Sequence, residues 1–285
     1  MTAADDGCRI ETFTTSDGYP VRYRLYPAQG ERRGQLVYLH GIQSHGGWYT
    51  ASCRHLAAAG WEVAFVDRRG SGLNEQGRGD APSFRRLVAD LNEFIGAWCA
   101  RPPMLVAVSW GGKLAVALEY FFPGRTAGLA LLTPGLCPKI RPPLGQRLRI
   151  ALARLFAPTR PFPIPLDDPE LFTATPRWQE TIRTDPLSLR TATARFLVES
   201  VRLDILLRRA PQHVAVPVLL MLAGHDRIID NARTRAYVTR FRSSDRLILE
   251  YPDAHHTLEF EPDPTPVFAD LSRWLERRAK SHCPR

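Results

Sequence analysis

Long apolar runs are missing from this chain: none of its 285 residues lie in a stretch approaching the roughly 18 apolar positions a membrane-spanning helix needs. The start, Met1 to Arg9, is polar and acidic and has no apolar segment of the kind a secretion signal carries. A cytoplasmic protein is therefore expected. Cysteine is sparse, with Cys8, Cys53, Cys99, Cys137 and Cys283 too widely spaced for a disulfide framework and no pair at metal-ligand spacing, so free thiols and no bound metal are expected. Lysine occurs only at Lys113, Lys139 and Lys280, so the net charge of +9 is nearly all arginine. Those arginines are scattered and interleaved with acids, without a run of five basic residues, which argues against a nucleic-acid partner.

What the chain does have is alternation. Short apolar runs at Glu11 to Thr15, Val21 to Tyr26, Gln35 to His40, Glu62 to Asp67, Met104 to Ser109, Ala127 to Thr133, Val218 to Ala223 and Leu247 to Tyr251 read as strands, most of them separated by helical patterns. Several are apolar throughout, as strands buried on both faces of a parallel sheet must be. The first two flank an Asp17-Gly18 turn and read as an antiparallel edge hairpin. The expectation is an α/β fold with a mostly parallel eight-stranded sheet flanked by helices.

The alternation stops between Thr133 and Pro217, where Pro-rich turns separate helical stretches and no strand is convincing. A core of residues 1–133 and 217–285 with a helical cap at 134–216 is the domain division this implies. In the insertion, Leu144, Leu148, Leu152, Leu155 and Phe156 share one helical stripe, and a second helix fits Leu189 to Arg209. The stripe reads as the face of a cap helix packed on the domain beneath it. The alternative is a basic amphipathic surface, with Arg147, Arg149 and Arg154, making peripheral contact with a membrane.

The chemistry concentrates where strands end. Leu105 to Gly112 is an apolar strand that meets Ser109 and then two glycines before a helical pattern, the order of a sharp strand-to-helix turn that exposes a serine hydroxyl. Such a turn needs small residues two before and two after the serine, here Ala107 and Gly111. A nucleophilic serine requires a histidine base and an acid to orient it, arriving later in the chain at strand ends. Asp226 follows the strand ending at Ala223, and the adjacent His255 and His256 follow the strand ending at Tyr251. Backbone N–H groups must receive the charge that develops on the substrate oxygen. His40-Gly41-Ile42-Gln43 after the third strand supplies one such N–H, from Ile42, and Trp110 after the serine supplies the other.

With these residues in place the chain resembles the α/β-hydrolases of the monoacylglycerol lipase and lysophospholipase-like group, also grouped with serine aminopeptidases. The resemblance runs from Glu11 to about Leu275 and rests on Thr15-Ser16-Asp17-Gly18 with Tyr23-Arg24, His40-Gly41-Ile42 followed by His45-Gly46-Gly47-Trp48-Tyr49, and Asp67-Arg68-Arg69-Gly70-Ser71-Gly72. It rests equally on Ser109-Trp110-Gly111-Gly112, Ala223-Gly224-His225-Asp226-Arg227 and Tyr251-Pro252-Asp253-Ala254-His255-His256. The resemblance implies His256 rather than His255 as the base, and scaffolding of the site as the role of Asp67 to Gly72. Ala107, Asp253 and Lys113 depart from the group's pattern.

The function expected is a cofactor-free serine hydrolase that cleaves a carboxylic ester of a small or lipid-like substrate, such as a monoacylglycerol or lysophospholipid, through Ser109, His256 and Asp226. His45 is a candidate substrate contact. Amidase, peptidase or acyltransferase chemistry with the same three residues is the alternative, as is a non-catalytic ligand-binding protein on a hydrolase scaffold.

Overall fold

In a computed structural model describing residues 7–281, Val, Leu, Ile and aromatic runs form one sheet at the centre of the molecule. Residues 1–6, the end of the chain and Cys283 lie outside the described residues. β1 (Arg9–Thr14), β2 (Pro20–Tyr26), β3 (Gly34–Leu39), β4 (Trp61–Val66), β5 (Met104–Val108) and β6 (Gly128–Leu132) are its first six strands in chain order. β9 (Val218–Ala223) and β10 (Arg246–Tyr251) complete it, in the spatial order β1-β2-β4-β3-β5-β6-β9-β10. β1 and β2 pair antiparallel, as the Asp17-Gly18 turn predicts, with Gly18 in the left-handed region at φ +80°. From β4 to β10 every pairing is parallel, and β5, β6 and β9 are buried along their whole length.

Helices cover both faces: α1 (Thr50–Ala58), α2 (Phe84–Trp98) and α3 (Gly111–Phe121) in the first half, α7 (Asn231–Thr239) and α8 (Thr265–Ser281) in the last third. Ser83 caps α2 by accepting from the N–H of Arg86 at 3.1 Å, and Leu87, Val88, Leu91, Phe94 and Ile95 form its buried face. Lys113 reaches from α3 to Asp204 at 2.6 Å, so this departure from the family pattern is an internal ion pair.

The segment between β6 and β9 contains α4 (Leu144–Phe156), α5 (Pro176–Thr184) and α6 (Ala194–Leu207). Two expectations fail there. The segment does hold strands: β7 (Pro161–Pro163) and β8 (Thr191–Thr193) pair antiparallel. Proline is tolerated in β7 because an edge strand can lack donors. The second helix starts at Ala194, not Leu189, because the Thr193 side chain accepts the N–H of Phe196 at 3.1 Å and caps it there.

The packing of α4 is also reversed. Leu144, Leu148, Leu152, Leu155 and Phe156 are 58–83% exposed, while Ile150 and Ala153 on the other side pack with Phe162 of β7 and Ala194 of α6. Periodicity finds an apolar face but does not say which face the protein covers. Here the small core formed with the ribbon and α6 takes the Ile150 side. Val201 and Ile205 of α6 are exposed as well, at 57% and 55%. Among the described residues no helix is long and apolar enough to cross a membrane.

Candidate active site

The parallel strands end together, and the loops beyond them meet at Ser109. β5 delivers the serine with Ala107 fully buried, flanked by Leu39 and Leu131 on the neighbouring strands. At Ser109 the backbone turns into the left-handed region at φ 50°, which costs a non-glycine residue energy and persists here because the flanking strand and helix fix it. Two positions on, a Cβ at Gly111 would stand 2.8 Å from the His40 carbonyl oxygen. Glycine is thus required after the serine, whereas the position before it lies in ordinary strand and accepts alanine.

The later loops bring the other two residues to it. His256 Nε2 lies 2.9 Å from Ser109 Oγ, and His256 Nδ1 lies 2.7 Å from Asp226 Oδ2. Asp226 Oδ1 accepts the N–H groups of Ile228 and Ile229 at 2.8 and 2.9 Å, so the carboxylate has its orientation fixed from the far side. With Nδ1–H donated to Asp226, the Nε2 lone pair faces the serine hydroxyl. Asp226 and His256 are buried, at 4% and 2% exposure. His255 points elsewhere, its N–H donating to Glu261 Oε1 at 2.6 Å, which separates the two adjacent histidines geometrically.

The loop after β3 passes directly over the serine: a Cβ at Gly41 would be 3.2 Å from Ser109 Cβ. Among the described residues neither the N–H of Ile42 nor that of Trp110 has an acceptor in the protein. The loop is braced from beneath. His40 bonds the Gly41 carbonyl through Nδ1 at 2.7 Å and accepts the backbone N–H of Arg68 at Nε2, 3.0 Å. Burial, aided by the Arg68 charge, pushes the His40 pKa down to about 3, so this ring is neutral. Asp67 is fully buried and closed by Arg24 at 2.9 Å and the N–H groups of Gly46 and Leu73, which makes the Asp67 to Gly72 loop a scaffold.

His45 does not present itself to a ligand. Its Nδ1 accepts the N–H of Gly47 at 3.0 Å and its Nε2 bonds Asp185 Oδ2 at 2.8 Å. The same carboxylate accepts the Trp48 indole N–H at 2.6 Å and the Ser188 hydroxyl at 2.9 Å. Burial raises the Asp185 pKa, but these bonds outweigh it and hold the group well below the usual carboxylate range. Asp185 ties the loop carrying Ile42 to the segment between β6 and β9, and nothing in the sequence around it signals that role. Thr133, with φ 40°, was equally silent; its hydroxyl donates to the His256 carbonyl at 2.8 Å. Phe172 places its ring edge-on to His256 at 6.0 Å, and Phe196 lies 5.4 Å from the Trp110 ring, so apolar rings from the insertion pack on His256 and on the side chain that follows the serine. Among the described residues no three His, Cys, Asp or Glu side chains come together as a metal site.

Residues 30–263 match the family described as serine aminopeptidase, S33. The chain is 25% identical over 278 residues to a monoacylglycerol lipase of Mycolicibacterium smegmatis, covering 93% of this chain and 95% of that protein. It is 23% identical over 271 residues to the human monoglyceride lipase, covering 92% and 89%. Its fold is similar to the crystal structure of a Paleococcus ferrophilus monoacylglycerol lipase, with a TM-score of 0.83 at 20% identity, over 90% of this chain and 99% of that one.

Proposed function

The chain belongs to the serine aminopeptidase S33 family of α/β-hydrolases, and from that footing we propose that it is a serine hydrolase cleaving carboxylic esters of lipid-like substrates. The observation that carries this reading is the unbroken chain from Ser109 Oγ through His256 to Asp226, beneath two N–H groups with no protein acceptor. Ser109 Oγ attacks the ester carbonyl carbon and its proton passes to His256 Nε2. Asp226 holds the imidazole tautomer and stabilises the imidazolium. Negative charge on the carbonyl oxygen rests on the N–H groups of Ile42 and Trp110. The tetrahedral species collapses, the alcohol leaves with the proton from Nε2, and water repeats the sequence to release the carboxylate and restore Ser109.

A long acyl chain suits the aromatic rings of Phe172, packed on His256, and of Trp110 and Phe196 beyond the serine in the chain, and two relatives at 25% and 23% identity are named as monoacylglycerol and monoglyceride lipases. We therefore read monoacylglycerols and lysophospholipids as the substrate class and residues 134–216 as a cap over the site. The exposed side chains of α4 and α6, with Arg147, Arg149 and Arg154 on the same helix, fit transient docking on an anionic lipid surface, where such substrates reside.

Exposure to a fluorophosphonate, read by intact mass, tests the mechanism without a choice of substrate. One adduct on the wild type and none on Ser109→Ala is expected, followed by esterase activity that rises with acyl length. Absence of an adduct on folded wild type overturns the reading. For the surface, Leu148→Ser/Leu152→Ser/Leu155→Ser is expected to lose co-sedimentation with phosphatidylglycerol vesicles while keeping activity on a soluble short-chain ester. Undiminished sedimentation, or a dimer dispersed by the same changes, refutes lipid docking.

A further inference from the structure

Arg68 is a buried cation with no ion-pair partner of its own: burial pulls its pKa down to about 9, and the nearby charge of Asp67, already closed by Arg24, offsets this only in part. It is 6% exposed, and among the described residues no carboxylate lies within ion-pairing distance of it. Its neighbours in the chain show what ordinary pairing looks like: Asp67 is taken by Arg24, and Arg69 holds Asp17 and Asp90 at 2.7 to 2.9 Å. Arg68 donates to neutral oxygens, from Nη1 to the Gly41 carbonyl at 2.7 Å and from Nη2 to the Ile42 carbonyl at 2.6 Å; Nη1 also lies 3.0 Å from Nδ1 of the neutral His40 ring, and Nε has no partner. Its guanidinium carbon stands 5.0 Å from the centre of the Trp110 ring and 5.4 Å from that of Phe196. Carbonyl dipoles and ring faces offset part of the desolvation of a charge, but an uncompensated buried charge is costly and needs a reason to persist.

The groups it touches supply that reason. The Gly41 carbonyl and the Ile42 N–H are opposite ends of one rigid peptide plane, so a cation bound at the oxygen fixes the direction of the N–H and increases its polarity. The Gly41 oxygen takes a second donor, His40 Nδ1–H, because His40 Nε2 is occupied by the Arg68 N–H. The other free N–H belongs to Trp110, whose ring the same guanidinium covers. One side chain therefore bears on both groups that face the substrate oxygen, at a buried place where charge acts over distance with little screening.

We propose that Arg68 is a positioning residue for the oxyanion site and that its absent counter-ion is supplied by the reaction: the oxyanion over the Ile42 and Trp110 N–H groups, and in the product complex the released carboxylate. This rests on the hydrolase reading above. In that reading an uncharged ester leaves Arg68 with only the partial support of Asp67, and the tetrahedral species adds the missing negative charge. The charge thus favours the transition state over the bound ester, which is the differential that raises kcat.

The test compares Arg68→Lys, Arg68→Gln and Arg68→Met with the wild type on a neutral short-chain ester. A decylboronic acid serves as the anionic probe, since its boron accepts the Ser109 Oγ bond to give a tetrahedral anion as the hydroxyl proton moves to His256. Arg68→Met is expected to lose about 10²- to 10³-fold in kcat, comparable to loss of one oxyanion donor, with KM changed less than about threefold. Its boronate Ki should rise in the same proportion, and competitive inhibition by decanoate should weaken. Arg68→Lys, which keeps the charge, should exceed Arg68→Gln by about tenfold in kcat. Equal activity of Lys and Gln variants refutes the counter-ion role and leaves only a loop brace; wild-type kcat in folded Arg68→Met, or a loss confined to KM, refutes the proposal outright. Should Arg68→Met fail to fold, the Lys and Gln pair decides alone. Ser109→Ala is assayed alongside, and if it still turns over the ester, the hydrolase reading itself has failed, independently of the Arg68 variants.

Discussion

Glu259 offers a measurement in which pH alone changes the stability of the fold. Its carboxyl is 7% exposed, in the short turn Leu258–Phe260, and accepts the N–H of Ser52 at 2.9 Å in the first turn of α1. Burial among Tyr38, Tyr49, Val267 and Leu271 pushes its pKa up from 4.5 to about 7, with the Ser52 bonds opposing. A raised value means the native state binds this proton more tightly than the unfolded chain. The stabilisation is complete below about pH 4.5 and is lost as pH rises through about 7. At roughly 1.4 kcal/mol per tenfold change in proton affinity, the whole effect is about 3 kcal/mol. Glu259→Gln retains an acceptor for Ser52 and removes the ionisation. Urea unfolding followed by tryptophan fluorescence should therefore find the variant about 2 to 3 kcal/mol more stable than wild type at pH 9 and nearly equal to it at pH 5. The comparison cancels every other titrating group. A difference of the same size at both pH values would refute the reasoning.

Other outcomes follow from the same geometry. Asp226→Asn should lower kcat about 10⁴-fold in ester assays with an unchanged circular dichroism spectrum, because the amide presents the wrong partner to His256 Nδ1. Gly111→Ala should cost both stability and activity, since its Cβ would meet the His40 carbonyl at 2.8 Å; thermal melting and fluorophosphonate labelling rates read the two effects. Asp185→Ala leaves His45 Nε2 and the Trp48 indole without their acceptor and should destabilise by about 2 to 4 kcal/mol in urea. Its signature is faster proteolysis of the segment between β6 and β9.

The sheet was legible because its strands are short runs bounded by turn residues, alternating polar and apolar in β1 and most of β2 and apolar throughout in β5, β6 and β9, where burial on both faces leaves no room for polar residues. The meeting of Ser109, Asp226 and His256 was legible because parallel strands end on one side, so residues just past three carboxyl ends must lie near one another. The α4 stripe shows where such reasoning stops. A leucine every fourth residue implies an apolar surface, yet whether protein covers it depends on long-range packing by Phe162 and Ala194, which periodicity does not encode. Asp185 and Arg68 escaped for a similar reason: their partners are 140 and 27 residues away in the chain, and one of the two interactions is with bare backbone.

The parallel order of the sheet also sets a schedule for synthesis. β6 ends at Leu132 and its neighbour β9 starts at Val218, so the edge of β6 stays open while the whole intervening segment is made. Ser109 and His256 are 147 residues apart. At about 5 to 20 residues per second, a nascent chain would carry the serine without its base for roughly 7 to 30 s. During that interval the growing polypeptide is a protein with an adhesive strand edge and an inert hydroxyl, so ribosome-bound chains stalled before β10 should not react with a fluorophosphonate. His256 reaches Ser109 only after the whole segment between β6 and β9 has been made.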